Sequence, residues 1–337
     1  MSIVAVDTIT DAAGGNTASI NGIPLRQGVL DPENRIINGA FDFWQRGTSF
    51  SAIQYGADRW LNVALGGSVN MSRQEFAAGD TFGSNNPTYF LRQTVSGQSA
   101  AGNGANFQQA IEDVRSYAGQ TVTVLGWARR SSGSGNMAIE GVQYFGTGGT
   151  PSVGVDGINP AIVSLTTSWQ PFAVTITFPS ITGKTIGTNN NSFSKIRLWT
   201  SAGSDFNAMT NSLGIQTIGV DFWGIHIKLG VHTTDATALY KQPELGPELA
   251  QCQRYYCRTF FNVRATSLGS GSYYENAIYW PQQMRGTPTT TLDTTGAFQC
   301  NPTIESPSPF GARATIGATA SGDARLLLGA VTADAEL

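Results

Sequence analysis

Charge is in short supply in this sequence. Asp, Glu, Lys and Arg make up 13% of its 337 residues, about half the usual share of a soluble domain. Twenty basic residues stand against 23 acidic ones, a formal charge of −3, and they form no basic stripe. Nucleic-acid binding depends on neutralising phosphates, so that class is set aside. No apolar run approaches the roughly 18 residues a membrane-spanning helix needs. The opening MSIVAVDTITDAAGG has no basic stretch leading into an apolar one. Neither membrane insertion nor classical secretion is expected.

Cysteine and histidine are equally sparse. Cys252, Cys257 and Cys300 are an odd set, which argues against a disulfide framework. His226 and His232 are the whole imidazole supply. Their H-x5-H spacing, taken with the C-x4-C of Cys252 and Cys257, is loose for a zinc site, and buried thiols with surface imidazoles are expected instead. The chain also lacks a Gly-x-Ser-x-Gly elbow, a P-loop and a Gly-x-Gly-x-x-Gly turn in strand-to-helix context. The adjacent Glu112 and Asp113 read as surface or helix-capping residues rather than glycosidase carboxylates. Catalysis is not expected.

What the sequence does have is glycine, 40 residues of it, with a hydrophobic content of 40%. That is ample for packed cores and argues against bulk disorder. Residues 1–34 are small, polar and without sustained periodicity, and read as an extended attachment arm. From Arg35 the pattern changes to short strands with period-two alternation between Gly, Asn and Ser turns. Over residues 121–128, Val122, Val124 and Gly126 alternate with Thr123, Leu125 and Trp127. Over residues 169–178, Phe172, Val174, Ile176 and Phe178 share a face. Residues 195–200 continue the series. Over residues 219–230 the alternation places Trp223, Ile225, Ile227 and Leu229 on one side, with His226 and Lys228 on a solvent side opposite. One helical exception is expected over residues 107–118, where Phe107, Ile111 and Val114 recur at helical spacing.

A break at PELGP, residues 243–247, introduces a helix over residues 248–258, with Leu249, Cys252 and Tyr255 or Tyr256 on one stripe. A second β-rich segment follows. The organisation is therefore an arm (1–34), a β-sandwich or jelly roll (35–242), a linker helix (243–259) and a smaller C-terminal β domain (260–337), mainly β throughout. The last segment is small for an independent core, so packing against neighbours or a homo-oligomer is expected.

Seven Trp, ten Tyr and seventeen Phe sit among short polar loops, a combination suited to stacking on sugar rings. Trp44, Trp60, Trp127 and Trp223 lie in apolar alternation and are assigned to the core. Tyr144 and Phe145, in QYFGTGGTPS, and Tyr55 are the candidates for glycan contact.

Certain segments carry a resemblance. RIINGAFDFWQRGT (35–48) followed by ADRW (57–60) resembles the opening of bacteriophage tail-fibre and head-fibre proteins with carbohydrate-binding-module-like jelly rolls. QAIEDVRSYAG (109–119) running into TVTVLGWARRSS, TTSWQPFAVTITFP (166–179) and GVDFWGIHIKLG (219–230) fit the same pattern. So do ELAQCQRYY (248–256), PQQMRGTP (281–288) and TADAEL (332–337), which extend it over nearly the whole chain. The resemblance implies a virion protein, made in the bacterial cytoplasm and built as a homotrimer. Its arm would dock on other virion proteins, and its jelly roll would meet host surface polysaccharide. It also implies positions for a structural calcium, Asp42 and Asp221, for which two carboxylates and loop carbonyls would suffice. The competing reading pairs either carboxylate with an arginine such as Arg59. Two functions are weighed: a tail fibre or spike component that attaches to a host glycan, and a head fibre, collar or capsid-decoration protein with a purely structural role. The second is favoured by the lack of a heptad shaft or regular repeat.

Overall fold

A computed structural model describes residues 34–337 and, before them, only two short paired strands, β1 (Ser19–Ile20) and β2 (Ile23–Pro24). The proposed arm otherwise lies outside the described residues. Twelve strands form the larger lobe. In chain order they are β3 (Ser49–Phe50), β4 (Gln54–Tyr55), β5 (Leu61–Leu65), β6 (Ser68–Glu75), β7 (Tyr89–Ser96) and β8 (Gly104–Glu112). There follow β9 (Thr121–Arg130), β10 (Gly135–Tyr144), β11 (Val155–Leu165), β12 (Gln170–Thr177), β13 (Phe193–Ala202) and β14 (Ile218–Leu229). They make two six-stranded sheets, β11-β10-β13-β8-β5-β4 and β12-β9-β14-β7-β6-β3. From β8 onward the chain crosses repeatedly from one sheet to the other, so the two must close face to face as a sandwich.

The inner faces supply one core. Ile196, Leu198, Met137, Ile139 and Phe107 from the first sheet meet Val122, Val124, Phe172, Val174, Ile176 and Phe222 from the second, with Trp60 buried between. The alternation over residues 172–178 predicts its inward face correctly: Phe172, Val174, Ile176 and Phe178 are all in this core.

The helix expected over residues 107–118 is instead mostly strand β8, paired with β13 on one side and β5 on the other. The spacing of Phe107 and Ile111 fits either period, because four is even. The residue that hid the alternation is Gln109, buried between them. Its side chain accepts from the Ile37 amide and donates to the Ile37 carbonyl, both at 2.8 Å, so a polar group sits at low cost in an inward position.

A second correction concerns β14. Gly224 adopts φ +65 and the register against β9 shifts between Trp223 and His226, a bulge that turns the strand over. Ile225 and Ile227 face the core, while Trp223 joins an outer cluster with Phe90, Trp127 and Tyr240. His226, expected in solvent, is 2% exposed. Its Nδ1 lies 2.9 Å from the Gly224 carbonyl, and its ring lies 4.8 Å from that of Tyr240. A 3-10 helix, Thr234–Leu239, precedes Tyr240 and packs against β9 and β12, which covers this side of the sheet.

After a short helix α1 (Asn207–Thr210) on the first sheet, the linker helix α2 spans Leu245–Gln253, starting three residues earlier than expected. The smaller lobe then begins with β15 (Tyr256–Ser267), β16 (Tyr273–Tyr279), β17 (Thr289–Leu292) and β18 (Ala297–Phe298). It ends with β19 (Cys300–Ser308), β20 (Gly311–Ala318) and β21 (Gly322–Asp334). Its sheets run β15-β21-β17, with β18 on β21, and β16-β20-β19. Phe261, Ile278, Trp280, Ile316, Leu326 and Val331 fill the core between them.

Candidate functional site

Strand β13 alternates Ile196 and Leu198, which enter the core, with Phe193, Lys195, Arg197 and Trp199, which face outward. Antiparallel register then fixes their neighbours. Tyr144 stands opposite Phe193, Glu140 opposite Arg197 on β10, and Gln108 of β8 opposite Arg197 on the other side. The outer face of the first sheet is therefore a patch of aromatic and hydrogen-bonding side chains.

Each is held in place. The Tyr144 and Phe193 rings lie 4.8 Å apart at 31°, and the Lys195 ammonium sits 4.9 Å from the Phe193 ring centre. Burial, and then the Arg197 charge, lower the Lys195 pKa to about 8. Glu140 is fully buried. It accepts from Arg197 Nη1 (2.6 Å), Trp199 Nε1 (2.9 Å) and the Gly157 amide (2.5 Å). Burial raises its pKa, and these partners oppose the shift. Arg197 also donates through Nε to Gln108 (3.1 Å) and through Nη2 to Asp156 (3.1 Å). At one end Trp199 packs on Phe206, next to α1, and directly over Gly104, where a Cβ would come within 2.9 Å of the indole. At the other end Arg254 bonds Glu112, and Arg285 donates to the Asn190 carbonyl. Around the ring pair, Lys195 and Arg197 balance Glu140 and Asp156, so the charges at the centre of the patch cancel. A preorganised array of donors and acceptors beside an accessible ring pair suits a flat, hydroxyl-rich, uncharged ligand.

Of the three aromatic candidates, only Tyr144 belongs to this face. Phe145, one residue on, points inward and is 1% exposed, so its ring has no open face to offer. Tyr55 lies at the junction of the two lobes, donating to the Leu337 carbonyl at 2.8 Å under the Arg46 guanidinium. Phe193, Lys195, Arg197, Gln108 and Glu140 were not singled out in the sequence. The available signal was charged and aromatic residues alternating with Ile and Leu in a chain otherwise poor in charge.

Asp42 and Asp221, the positions that the resemblance offers for calcium, are each bonded by side chains of this protein. Asp221 takes Arg92 through both oxygens (2.6 and 2.8 Å) and Arg129 (2.9 Å), while Asp42 accepts from Gln242 (2.8 Å). Two guanidinium groups already neutralise Asp221, and a dication would be repelled there. Among the described residues no group of three or more His, Cys, Asp or Glu side chains converges. Arginine pairing is thus the fate of Asp221, with Arg92 and Arg129 in place of Arg59. All three cysteines are buried free thiols.

Four of the segments that carry the resemblance, at 35–48, 57–60, 248–256 and 332–337, meet at the lobe junction. Arg59 pairs with Glu336 while lying 3.4 Å from the centre of the Tyr255 ring. Arg46 reaches Asp334 (3.0 Å) and Glu336 (3.3 Å) and stacks 3.6 Å from Tyr256. Gln45 donates to Asp58 (2.6 Å) and the Tyr256 carbonyl (3.0 Å). Glu248 of α2 accepts from the Asn38 amide. Burial pushes the carboxyl of Asp58 up to about 6, against the pull of Gln45 and Arg46, and that of Glu248 to about 7. These residues form an internal lock; they do not line the outer sheet face.

The sequence matches no protein-family model and no curated protein. Solved structures to which the chain is similar include a sugar-binding protein from Bacteroides thetaiotaomicron, described as putative in its own name, at 11% identity. That likeness covers 58% of this chain and 100% of the other, with TM-score 0.37. Another is the enzymatically active domain of bacteriophage CBA120 tailspike protein 4, at 13% identity and TM-score 0.34. There the match covers 60% of this chain but spans only 22% of the tailspike chain. A third is the family 11 carbohydrate-binding module from Clostridium thermocellum in complex with a β-1,3-1,4-mixed-linked tetrasaccharide, at 6% identity and TM-score 0.31. It covers 53% of this chain and 95% of that one.

Proposed function

We propose that this chain is a non-catalytic glycan-binding component of a phage tail fibre or spike, and that the outer face of the first sheet meets the sugar. The observation that supports this is the Tyr144–Phe193 ring pair flanked by Lys195 and by Arg197, which the buried Glu140 anchors and which in turn bonds Gln108 and Asp156. Aromatic faces take the C–H side of a pyranose, and the fixed amide, guanidinium and carboxylate take its hydroxyls. In this reading the chain assembles in the bacterial cytoplasm as a homotrimer. Residues 1–34 join it to other virion proteins, and three weak sites give avidity on a repeating polysaccharide.

The test is adsorption to host cells, and glycan-array binding, by the full chain and its Tyr144→Ala and Gln108→Ala variants. Each variant should lose on the order of tenfold in apparent affinity, the loss of roughly one good contact, with the fold unchanged. Undiminished adsorption by both would sink the site. The second reading, a head fibre, collar or decoration protein, is favoured by the absence of any repeat or heptad shaft in the sequence. Antibody labelling of intact particles separates the two, at the tail tip for the first and on the head or collar for the second.

A further inference from the structure

The smaller lobe carries a second open cleft. It encloses about 640 Å³ between β16 and the β19–β20 hairpin, within the range of about 300–1,000 Å³ of small-ligand sites. Its floor is open because Ala277, Gly311 and Ala312 have little or no side chain. Two rings stand at it, Tyr279 and Phe310, which are 78% and 64% exposed. Among the described residues neither packs against another aromatic ring.

The backbone that carries the rings is fixed. The Trp280 amide donates to the Phe310 carbonyl (3.2 Å), and Trp280 Nε1 donates to the Ser308 carbonyl (2.9 Å). Ser308 Oγ closes the turn on Gly311 (3.0 Å). Between the rings and the next strand, Arg313 is held by Glu305 on one side and Glu275 (3.3 Å) on the other. A register shift between Glu305 and Ser308, with Ser306 at φ +51, re-aims the rim of the cleft, as bulges beside binding sites do.

We infer that this cleft is a second saccharide site, separate from the sheet face of the larger lobe, and that it takes neutral hexose units. Exposed rings on a fixed turn, each with only two side-chain torsions to restrict, offer stacking surface at little entropic cost. The Glu275–Arg313–Glu305 row offers both acceptors and donors to vicinal hydroxyls. Its net charge of −1 repels uronic and sialic acids.

The full chain and its Tyr279→Ala, Tyr279→Phe and Tyr144→Ala variants are titrated with neutral hexose tetrasaccharides and with an oligogalacturonate. Mass is followed by light scattering. Tyr279→Ala should weaken the neutral sugars about tenfold, the scale of one stacked ring, while Tyr279→Phe restores binding and the oligogalacturonate stays excluded. Sensitivity to Tyr144→Ala alone overturns this inference and leaves the sheet-face reading standing. The converse result supports the cleft and overturns the sheet face. Loss of oligomer mass in Tyr279→Ala with sugar affinity unchanged identifies the face as a contact between copies of this chain, and also overturns it. No binding of any saccharide by the unaltered chain overturns both.

Discussion

Glu140 is the side chain that anchors Arg197 and Trp199 on the outer sheet face. It is buried, carries the Arg197 guanidinium and the Trp199 indole on one oxygen, and accepts the Gly157 amide on the other. Removing one partner of a buried charge pair leaves the other uncompensated, at a cost of about 3–5 kcal/mol. Glu140→Ala should therefore lower stability by that order in urea unfolding, whereas Tyr144→Ala, on the same face but half-buried, should leave the midpoint nearly unchanged. Equal effects would show that the carboxylate is no anchor. At this scale the sequence was only partly legible. Tyr144 could be found as an aromatic residue beside a glycine-rich loop. Phe145 beside it was indistinguishable by composition, and only strand parity turns one ring outward and the other in. Gln109 and His226 misled because both are polar residues whose hydrogen bonds are made inside the protein, with partners remote from them in sequence or set by a bulge.

Among the elements, β14 shows how one residue re-registers a strand. Gly224 sits at φ +65, and a Cβ there would come within 2.8 Å of the Trp127 ring. An L-residue in this conformation costs about 1–2 kcal/mol before the clash is counted. Gly224→Ala should destabilise the chain by at least that much and alter near-ultraviolet circular dichroism, since Trp127 and Trp223 lie 5.2 Å apart. Unchanged tryptophan signals would mean that the bulge does not set the cluster. Alternation located β9, β12 and β14 because buried strands with one face inward repeat every two residues. It failed at β14's bulge, where parity changes within the strand. It also failed at β8, where an inward glutamine made the apolar positions look helical. The helix α2 was legible from its proline, but it ends at Gln253, five residues before the expected 258, so Tyr255 and Tyr256 of the expected stripe lie beyond it and Tyr256 opens β15.

The whole molecule is two lobes joined by buried charge. Asp58 and Glu248 have folded-state pKa values of about 6 and about 7, above their ordinary 3.8 and 4.5, chiefly through burial. Between these limits the folded chain binds more protons than the unfolded one, so stability from these two groups rises as pH falls through that window and is lost as both ionise. The unfolding midpoint should accordingly decrease from pH 5 to pH 8, and Glu248→Gln should flatten the profile. A midpoint that climbs steadily over that range contradicts the assignment. The resemblance segments at 35–48, 57–60, 248–256 and 332–337 build this junction, while those at 121–132, 166–179 and 219–230 are strands of the second sheet; none of them supplies the outer-face residues of β10 and β13.

Arg59 and its partner Glu336 are separated by 277 positions. On a ribosome making about 5–20 residues per second, the arginine waits on the order of tens of seconds for its counter-ion. The larger lobe can collapse in that interval, yet its seam stays unsealed until the residues just after β21 are delivered. Chains cut short by nonsense mutation or proteolysis would leave the Arg59 guanidinium without its carboxylate and Arg46 with Asp58 alone, which is a chemical mark by which quality control could tell unfinished subunits from those ready to assemble.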